Sequence, residues 1–308
     1  MYIIAENFHI IAPRFKQAVQ EKDEAYIKDT AVKMVEAGAN AIDLNIGPQK
    51  KRGHEILPWL AEVVQSAVGP DVPLVLDTTN LTAIEAACEV TRAQPIINST
   101  SAEPERLESV PIVAKKYNTR LIALTMAKAG IPVGADERVT LALEHLIPRA
   151  LELDFPIPDL IIDPLVLTVS GCQEYCPECV EAVRTLKFAW DPPPLTNAGL
   201  SNVSNAVPNV MRPLLNRVYM VMLMGAGIDM VIADPFDAEL MDWIRVVEER
   251  DEGTPLNRLL IKLYDRVLAM EELQLSDVDL GDPAQSDIWK SYQVLMNQVI
   301  YTDAYLRA

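Results

Sequence analysis

Between Tyr2 and Asp234 the chain repeats one pattern eight times: a short run rich in Ile, Val, Leu and Ala that closes on a polar residue, then a longer stretch of helical periodicity. The runs occupy 2–7, 41–46, 73–78, 95–99, 120–126, 160–164, 195–202 and 230–234. Helical patterns between them include 55–68, 82–91, 136–153, 177–188 and 213–224, with Pro, Gly or polar residues at the joints. Repeated βα units predict a parallel sheet. Eight of them predict an α/β protein of the (β/α)8 TIM barrel type, because a doubly wound sheet usually stops at about five or six parallel strands.

Barrels of this type carry their active sites at the C-terminal ends of the strands. Here the runs end on Glu6-Asn7, Asp43-Leu44-Asn45, Asp77-Thr78-Thr79-Asn80, Asn98-Ser99-Thr100, Thr125-Met126, Asp163-Pro164, Ser201-Asn202 and Asp234. Capping of the next helix would account for any one of these polar groups. It does not account for all of them together. The expected site is therefore built of carboxylates and carboxamides, with no His or Cys at a strand end and no Lys at the ends of strands six and seven.

The 308 residues exceed the roughly 250 of a bare barrel. After Asp234 come three helical patterns, 238–249, 257–273 and 287–305, with an acidic, turn-rich link at 276–283. Residues 234–308 hold 16 acidic and 7 basic side chains, more than half of the net charge of −17. The chain is read as a single domain over 1–308, with 251–290 an acidic helical insertion ahead of a closing helix from about Ser291. A role of that insertion in a dimer contact or in partner docking stands beside a solvated hairpin. The net charge argues against a nucleic-acid binder, yet it leaves room for a local basic pocket.

The start of the chain has no basic segment followed by an apolar one, and the apolar stretch 218–232 is interrupted by Gly225, Gly227 and Asp229. It falls short of the ~20 residues a membrane span needs. A soluble, cytoplasmic protein is expected. Four cysteines make no disulfide framework in a chain of this length, which fits a reducing compartment. Three of them, Cys172-x3-Cys176-x2-Cys179, have a spacing that resembles the cluster motif of radical S-adenosylmethionine enzymes. They follow strand six rather than strand one, and no glycine-rich loop follows, so a radical iron–sulfur enzyme is the weaker alternative. His9, His54 and His145 are too scattered for a metal site.

Asp77, Asn98 and Asp163 offer a specific recognition set from one side of a barrel mouth. A pterin ring presents an exocyclic amino group beside a ring N–H, a two-donor edge that a carboxylate meets bidentately while a carboxamide serves the neighbouring atoms. Other amidine-like edges would be served equally well.

Several segments in order make the sequence more specific: Asp43-Leu44-Asn45-Ile46-Gly47, Leu76-Asp77-Thr78-Thr79-Asn80, Ile97-Asn98-Ser99-Thr100, Leu124-Thr125-Met126-Ala127-Lys128, Ile162-Asp163-Pro164-Leu165, Gly199-Leu200-Ser201-Asn202-Val203-Ser204 and Arg212-Pro213-Leu214-Leu215-Asn216-Arg217. With these it resembles the pterin-binding methyltetrahydrofolate:corrinoid-protein methyltransferases. The resemblance runs to Asp234 and returns at Asn297-Gln298-Val299-Ile300-Tyr301. It implies a homodimeric barrel that moves a methyl group between N5 of tetrahydrofolate and the cobalt of cobalamin carried by a corrinoid partner protein. By the same resemblance Asp77, Asn98 and Asp163 grip the pterin, Asn202 bonds the N5 region, and Asp43, Ser201 and Arg212 support the pocket. Glu6 matches the glutamate of the family's first-strand Gly-Glu-Arg-x-Asn motif, which here reads Ala5-Glu6-Asn7-Phe8-His9. The family's Asn after Thr-Met is here Ala127. The related dihydropteroate synthases share the pterin grip but carry a Ser-Arg-Lys-Ser motif at strand seven, where this chain has Ser201-Asn202-Val203-Ser204. Since no side chain at the mouth reads as a strong acid, water is the expected proton source for N5.

Overall fold

A computed structural model describes residues 1–307. In chain order the elements are β1 (Tyr2–Ala5), α1 (Pro13–Glu21), α2 (Glu24–Glu36), β2 (Ala41–Asn45), α3 (Gly53–Val68), β3 (Leu74–Asp77) and α4 (Leu81–Cys88). There follow β4 (Ile96–Ser101), α5 (Pro104–Lys116), β5 (Arg120–Leu124), α6 (Ala135–Leu141), α7 (Ile147–Glu152), β6 (Leu160–Asp163), α8 (Val169–Cys172) and α9 (Tyr175–Leu186). The last third holds β7 (Leu195–Gly199), α10 (Arg212–Ala226), β8 (Met230–Ala233), α11 (Ala238–Glu249), α12 (Pro255–Leu268) and α13 (Pro283–Leu295). All eight strands are parallel and close in sequence order, β8 pairing back onto β1. The chain forms the (β/α)8 barrel that the repeat predicts.

Strand alternation sorts each short apolar run into two faces. Ile4, Ala41, Val75, Ile96, Ile122, Ile161 and Met230 form a separate apolar cluster. It plugs the lower barrel interior. Their neighbours Ile42, Leu44, Leu76, Ile97, Ile162 and Ala123 pack instead with buried helix residues such as Leu57, Leu60 and Val110. Two residues beyond these positions, the same inward parity brings up Glu6, Asp43, Asp77, Asn98 and Asp163, along with the apolar Leu124 and Ile232. The polar strand ends are thus the upper layer of the barrel filling.

Several boundaries differ from the sequence-based reading. The seventh strand ends at Gly199 rather than Asn202, because residues 200–204 turn into a 3-10 segment. The helix expected over 136–153 is interrupted by a π turn at Ala142–Leu146. The helix expected over 257–273 ends at Leu268, and the final one spans Pro283–Leu295 instead of 287–305, so the break drawn at 290/291 falls inside α13. Nor is this segment a free hairpin. Leu259, Leu260, Ile288 and Tyr292 are buried in one apolar cluster with Val218, Val221 and Leu223 of α10. Gln173 ties it down further, donating to the carbonyls of Val294 and Val299 and accepting from the Tyr301 N–H. No helix among the described residues is long and apolar enough to cross a membrane.

Candidate active site

One cavity of about 620 Å³ opens at the C-terminal end of the barrel, lined by Glu6, Asp43, Asp77, Asn98, Asp163, Ser201 and Asn202 among others. Seven of the eight site residues expected from sequence therefore share one wall system. The eighth, Arg212, does not line it. It lies at the start of α10, where Nε donates to Ser204 Oγ at 3.2 Å, and its charge reaches Glu6 only through space. Not every polar strand end enters the cavity either. Asn80 caps α4, its side chain accepting the Ala83 N–H, and Thr78, on the outward parity, donates to the Gly47 carbonyl.

Asp163 and Asp77 are each held by hydrogen-bond partners. Asp163 Oδ1 accepts the Leu165 N–H at 2.8 Å and Oδ2 accepts Asn197 Nδ2 at 2.8 Å. Leu165 holds a φ of 70°, a left-handed turn that aims its N–H back at the strand end. Arg138 stabilises that turn from below. Fully buried, it donates to the carbonyls of Pro132, Pro164 and Leu165. Asp77 Oδ2 accepts Asn45 Nδ2 at 2.5 Å. Every carboxylate oxygen still has a second lone pair, so both acids remain able to accept from a bound ring. Asn45 is one of the polar strand ends expected at the mouth, whereas Asn197 and Arg138 are not among the residues expected there. The sequence signal for Asn197 is a buried-type position in a short strand, Leu195-Thr196-Asn197-Ala198-Gly199, that holds a carboxamide.

Burial dominates the electrostatics. It pushes the Asp163 carboxyl up to about 6, against opposition from Leu165, Asn197 and Arg138. It pushes Asp77 up to about 6, with Asn45 and Arg106 opposing. Asp43 is raised well above the usual range, by burial first and then by the neighbouring Asp77 and Glu6 charges. Glu6 is raised to about 7: burial and the Asp234 charge drive it up, while the Ser201 hydroxyl, donating to Oε2 at 2.8 Å, and Arg212 pull it down. Its low-dielectric surroundings thus make Glu6 a carboxyl raised toward neutrality.

Asn202 stands exposed in the cavity wall, just after β7 and next to Ser201, the partner of Glu6. Its Oδ1 accepts from Asn205, and its Nδ2 folds back over Gly199 so closely that a Cβ there would lie 2.8 Å from it. Gly199 is therefore what lets the carboxamide lie across the strand end. His9, where the resembled motif has Asn, also lines the cavity; burial lowers its proton affinity, and Nδ1 accepts the Ile11 N–H.

The cysteine alternative fails on geometry. Cys176 and Cys179 are buried and Cys172 half-buried, and no group of three His, Cys, Asp or Glu side chains among the described residues could hold a metal ion. Burial raises the Cys179 thiol to about 11 and Cys176 further.

The family described as pterin binding enzyme matches residues 13–234. The chain belongs to that family. Among its relatives is the methylcorrinoid:tetrahydrofolate methyltransferase of Eubacterium limosum, 29% identical over 243 residues that cover 78% of this chain and 88% of the relative. The methionine synthase of Mycobacterium tuberculosis is 26% identical over 261 residues, 82% of this chain but only 21% of that much longer protein. Dihydropteroate synthases share the fold of this pterin-binding chain. The Yersinia pestis structure superposes with a TM-score of 0.55 at 18% identity, covering 82% of this chain and 92% of its own. The Xanthomonas albilineans structure gives 0.58 at 17% identity, covering 82% and 94%.

Proposed function

We propose that the protein is a methyltransferase that moves a methyl group between N5 of tetrahydrofolate and the cobalt of a corrinoid carried by a partner protein. The observation that carries this reading is the single cavity lined together by Asp77, Asn98, Asp163 and Asn202. The acids and Asn98 suit the two-donor edge of the pterin, and their partners Asn45, Asn197 and Leu165 hold them at fixed positions before binding, which reduces the ordering cost. That leaves N5, on the other ring, toward Asn202.

A methyl group on N5 leaves only if the nitrogen is stabilised as the C–N bond breaks. Asn202 is placed to donate to N5 or, after its amide reorients, to accept from an N5 proton. Glu6, hydrogen-bonded to Ser201 beside it, holds a proton near neutrality that can reach the same region. The corrinoid supplies the cobalt that gives or takes the methyl group, and the barrel mouth positions the two reactants in line. The 29% identity to a methylcorrinoid:tetrahydrofolate methyltransferase supports this reaction class. The same reading expects a homodimer and a role in acetyl-CoA synthesis or as the methyl-accepting component of a corrinoid demethylation system.

The synthase reading is disfavoured by the cavity wall, which holds no Lys or Arg among the described residues to meet a diphosphate. The test is to mix the protein with methylcobalamin and tetrahydrofolate, and separately with cob(I)alamin and methyltetrahydrofolate, and to follow the corrin spectrum. Transfer is expected. A flat spectrum in both mixtures would sink the proposal.

A further inference from the structure

A second concavity lies just outside the barrel mouth, and the reaction proposed above does not use it. It measures about 250 Å³ and is lined by Lys16, Lys22 and Arg52 together with Ile10, Gln49 and Trp59. Lys50 and Lys51 flank it in sequence and are exposed. Lys16, Lys22, Lys50 and Lys51 enter no ion pair among the described residues, and the one acid in the wall, Glu55, is already paired with Arg52 at 3.1 Å. In a chain of net charge −17 the three cations of the wall outnumber its one acid, with Glu24, which bonds Trp59 and attracts Lys22, close by, so the hollow is a local patch of positive charge.

The hollow and the cavity share a wall. His9 and Ile11 line the cavity while Ile10, between them, lines the hollow, so one loop forms part of the wall of each. That loop is pinned to β2 by the Ile10 N–H donating to the Asn45 carbonyl at 3.0 Å and by Ile10 packing against Gly47. The direction from cavity to hollow also fits the substrate. Asp77, Asn98 and Asp163 stand at the ends of β3, β4 and β6, and Asn202 follows β7, so the ring is gripped over that arc. The remaining arc, β8, β1 and β2, carries Glu6 and Asp43 in the wall but none of the three residues that grip the pterin edge. The side chain of tetrahydrofolate leaves from C6, next to N5 and away from the gripped edge, and so emerges toward the β1 loop and α1.

That side chain ends in glutamate, and folates extended by further γ-linked glutamates add one free α-carboxylate per unit. Each added unit lengthens the tail by roughly 5–6 Å, since a γ-glutamyl link is somewhat longer than the 3.3–3.6 Å of an extended α-residue. We infer that the hollow formed by Lys16, Lys22, Arg52 and the adjoining Lys50 and Lys51 is a subsite for the oligoglutamate tail of the folate substrate. The inference rests on the pterin reading of the cavity and adds a preference for the extended forms. The aliphatic stems of the lysines and the Trp59 face, with Lys22 Nζ 5.5 Å from its ring centre, give the tail methylenes an apolar floor.

The experiment is calorimetric titration of the full chain with tetrahydrofolate monoglutamate and with its triglutamate, at low and at high salt. The triglutamate is expected to bind about ten-fold more tightly at low salt, equivalent to about 1.4 kcal/mol, and that advantage should shrink as salt screens exposed charge. In the triple variant Lys16→Glu, Lys50→Glu, Lys51→Glu the two forms should bind alike. Arg258→Glu, an exposed charge reversal on α12 remote from the hollow, tests whether a reversal elsewhere acts alike and should keep the preference. Equal affinities in the unaltered protein, or a preference that survives the triple variant, would overturn the subsite while leaving the pterin cavity standing. Binding of neither form would overturn both.

Discussion

Replacing Glu6 by Gln should stabilise the protein, and by an amount that depends on pH. In the folded chain burial raises the Glu6 carboxyl to about 7, against 4.5 for the ordinary side chain. Between those values the folded state holds a proton that the unfolded state has released. Folding stability therefore falls as pH rises through this window, the sense expected for a raised carboxyl. At about 1.36 kcal/mol per pH unit, the 2.5-unit difference makes the charged form cost about 3 kcal/mol above pH 8. Near pH 4 the cost approaches zero. Gln is neutral at every pH, keeps an oxygen to accept the Ser201 hydroxyl, and has nearly the same volume, so it removes the charge and little else. Urea unfolding of both proteins from pH 4.5 to 8.5 measures the difference. The variant should gain little at the acid end and about 3 kcal/mol at the alkaline end. A difference that stays constant across the range would refute the reasoning, because packing and hydrogen bonding alone carry no such slope. The stability gained should be accompanied by slower methyl transfer, as the variant has no proton to give.

Three further outcomes follow from the site. Asn202→Ala should lower turnover by about 10²–10³ while retaining most pterin affinity, since it removes one donor from the reacting nitrogen; an unchanged rate in the corrin assay would take Asn202 out of the mechanism. Gly199→Ala should reproduce much of that defect with little loss of stability, because its methyl would displace the flexible Asn202 amide rather than backbone; a normal rate would show that the close approach is irrelevant. Asn197→Ala should cost about 1–3 kcal/mol in urea unfolding and weaken pterin binding, since Asp163 Oδ2 loses its buried donor; a stable variant with full affinity would mean that Asp163 needs no orienting partner.

The strand-end residues show how much of this was legible in advance. Asp77, Asn98 and Asp163 could be placed at a barrel mouth from the repeat alone, because each ends an apolar run and a barrel puts all such ends on one face. Asn80 looked equivalent and is a helix cap. Arg212 looked like part of the wall and lies behind it. A polar residue at the end of a run can serve the cavity or the next helix, and its neighbours in sequence do not say which. Asn197 and Arg138 escaped notice for a related reason: they act by bonding groups 26 to 34 positions away.

What the sequence by itself determined is the number, order and type of the elements and the chemistry available at their ends, since apolar periodicity and the residues that break it are local properties. Tertiary structure decided the rest. The inward or outward parity of each side chain, the burial that moves Glu6 to about 7, and the meeting of Lys16 and Lys22 with Arg52 all depend on distances between segments remote in the chain. Desolvation and charge are summed over everything nearby in space, and only the closed barrel defines what is near.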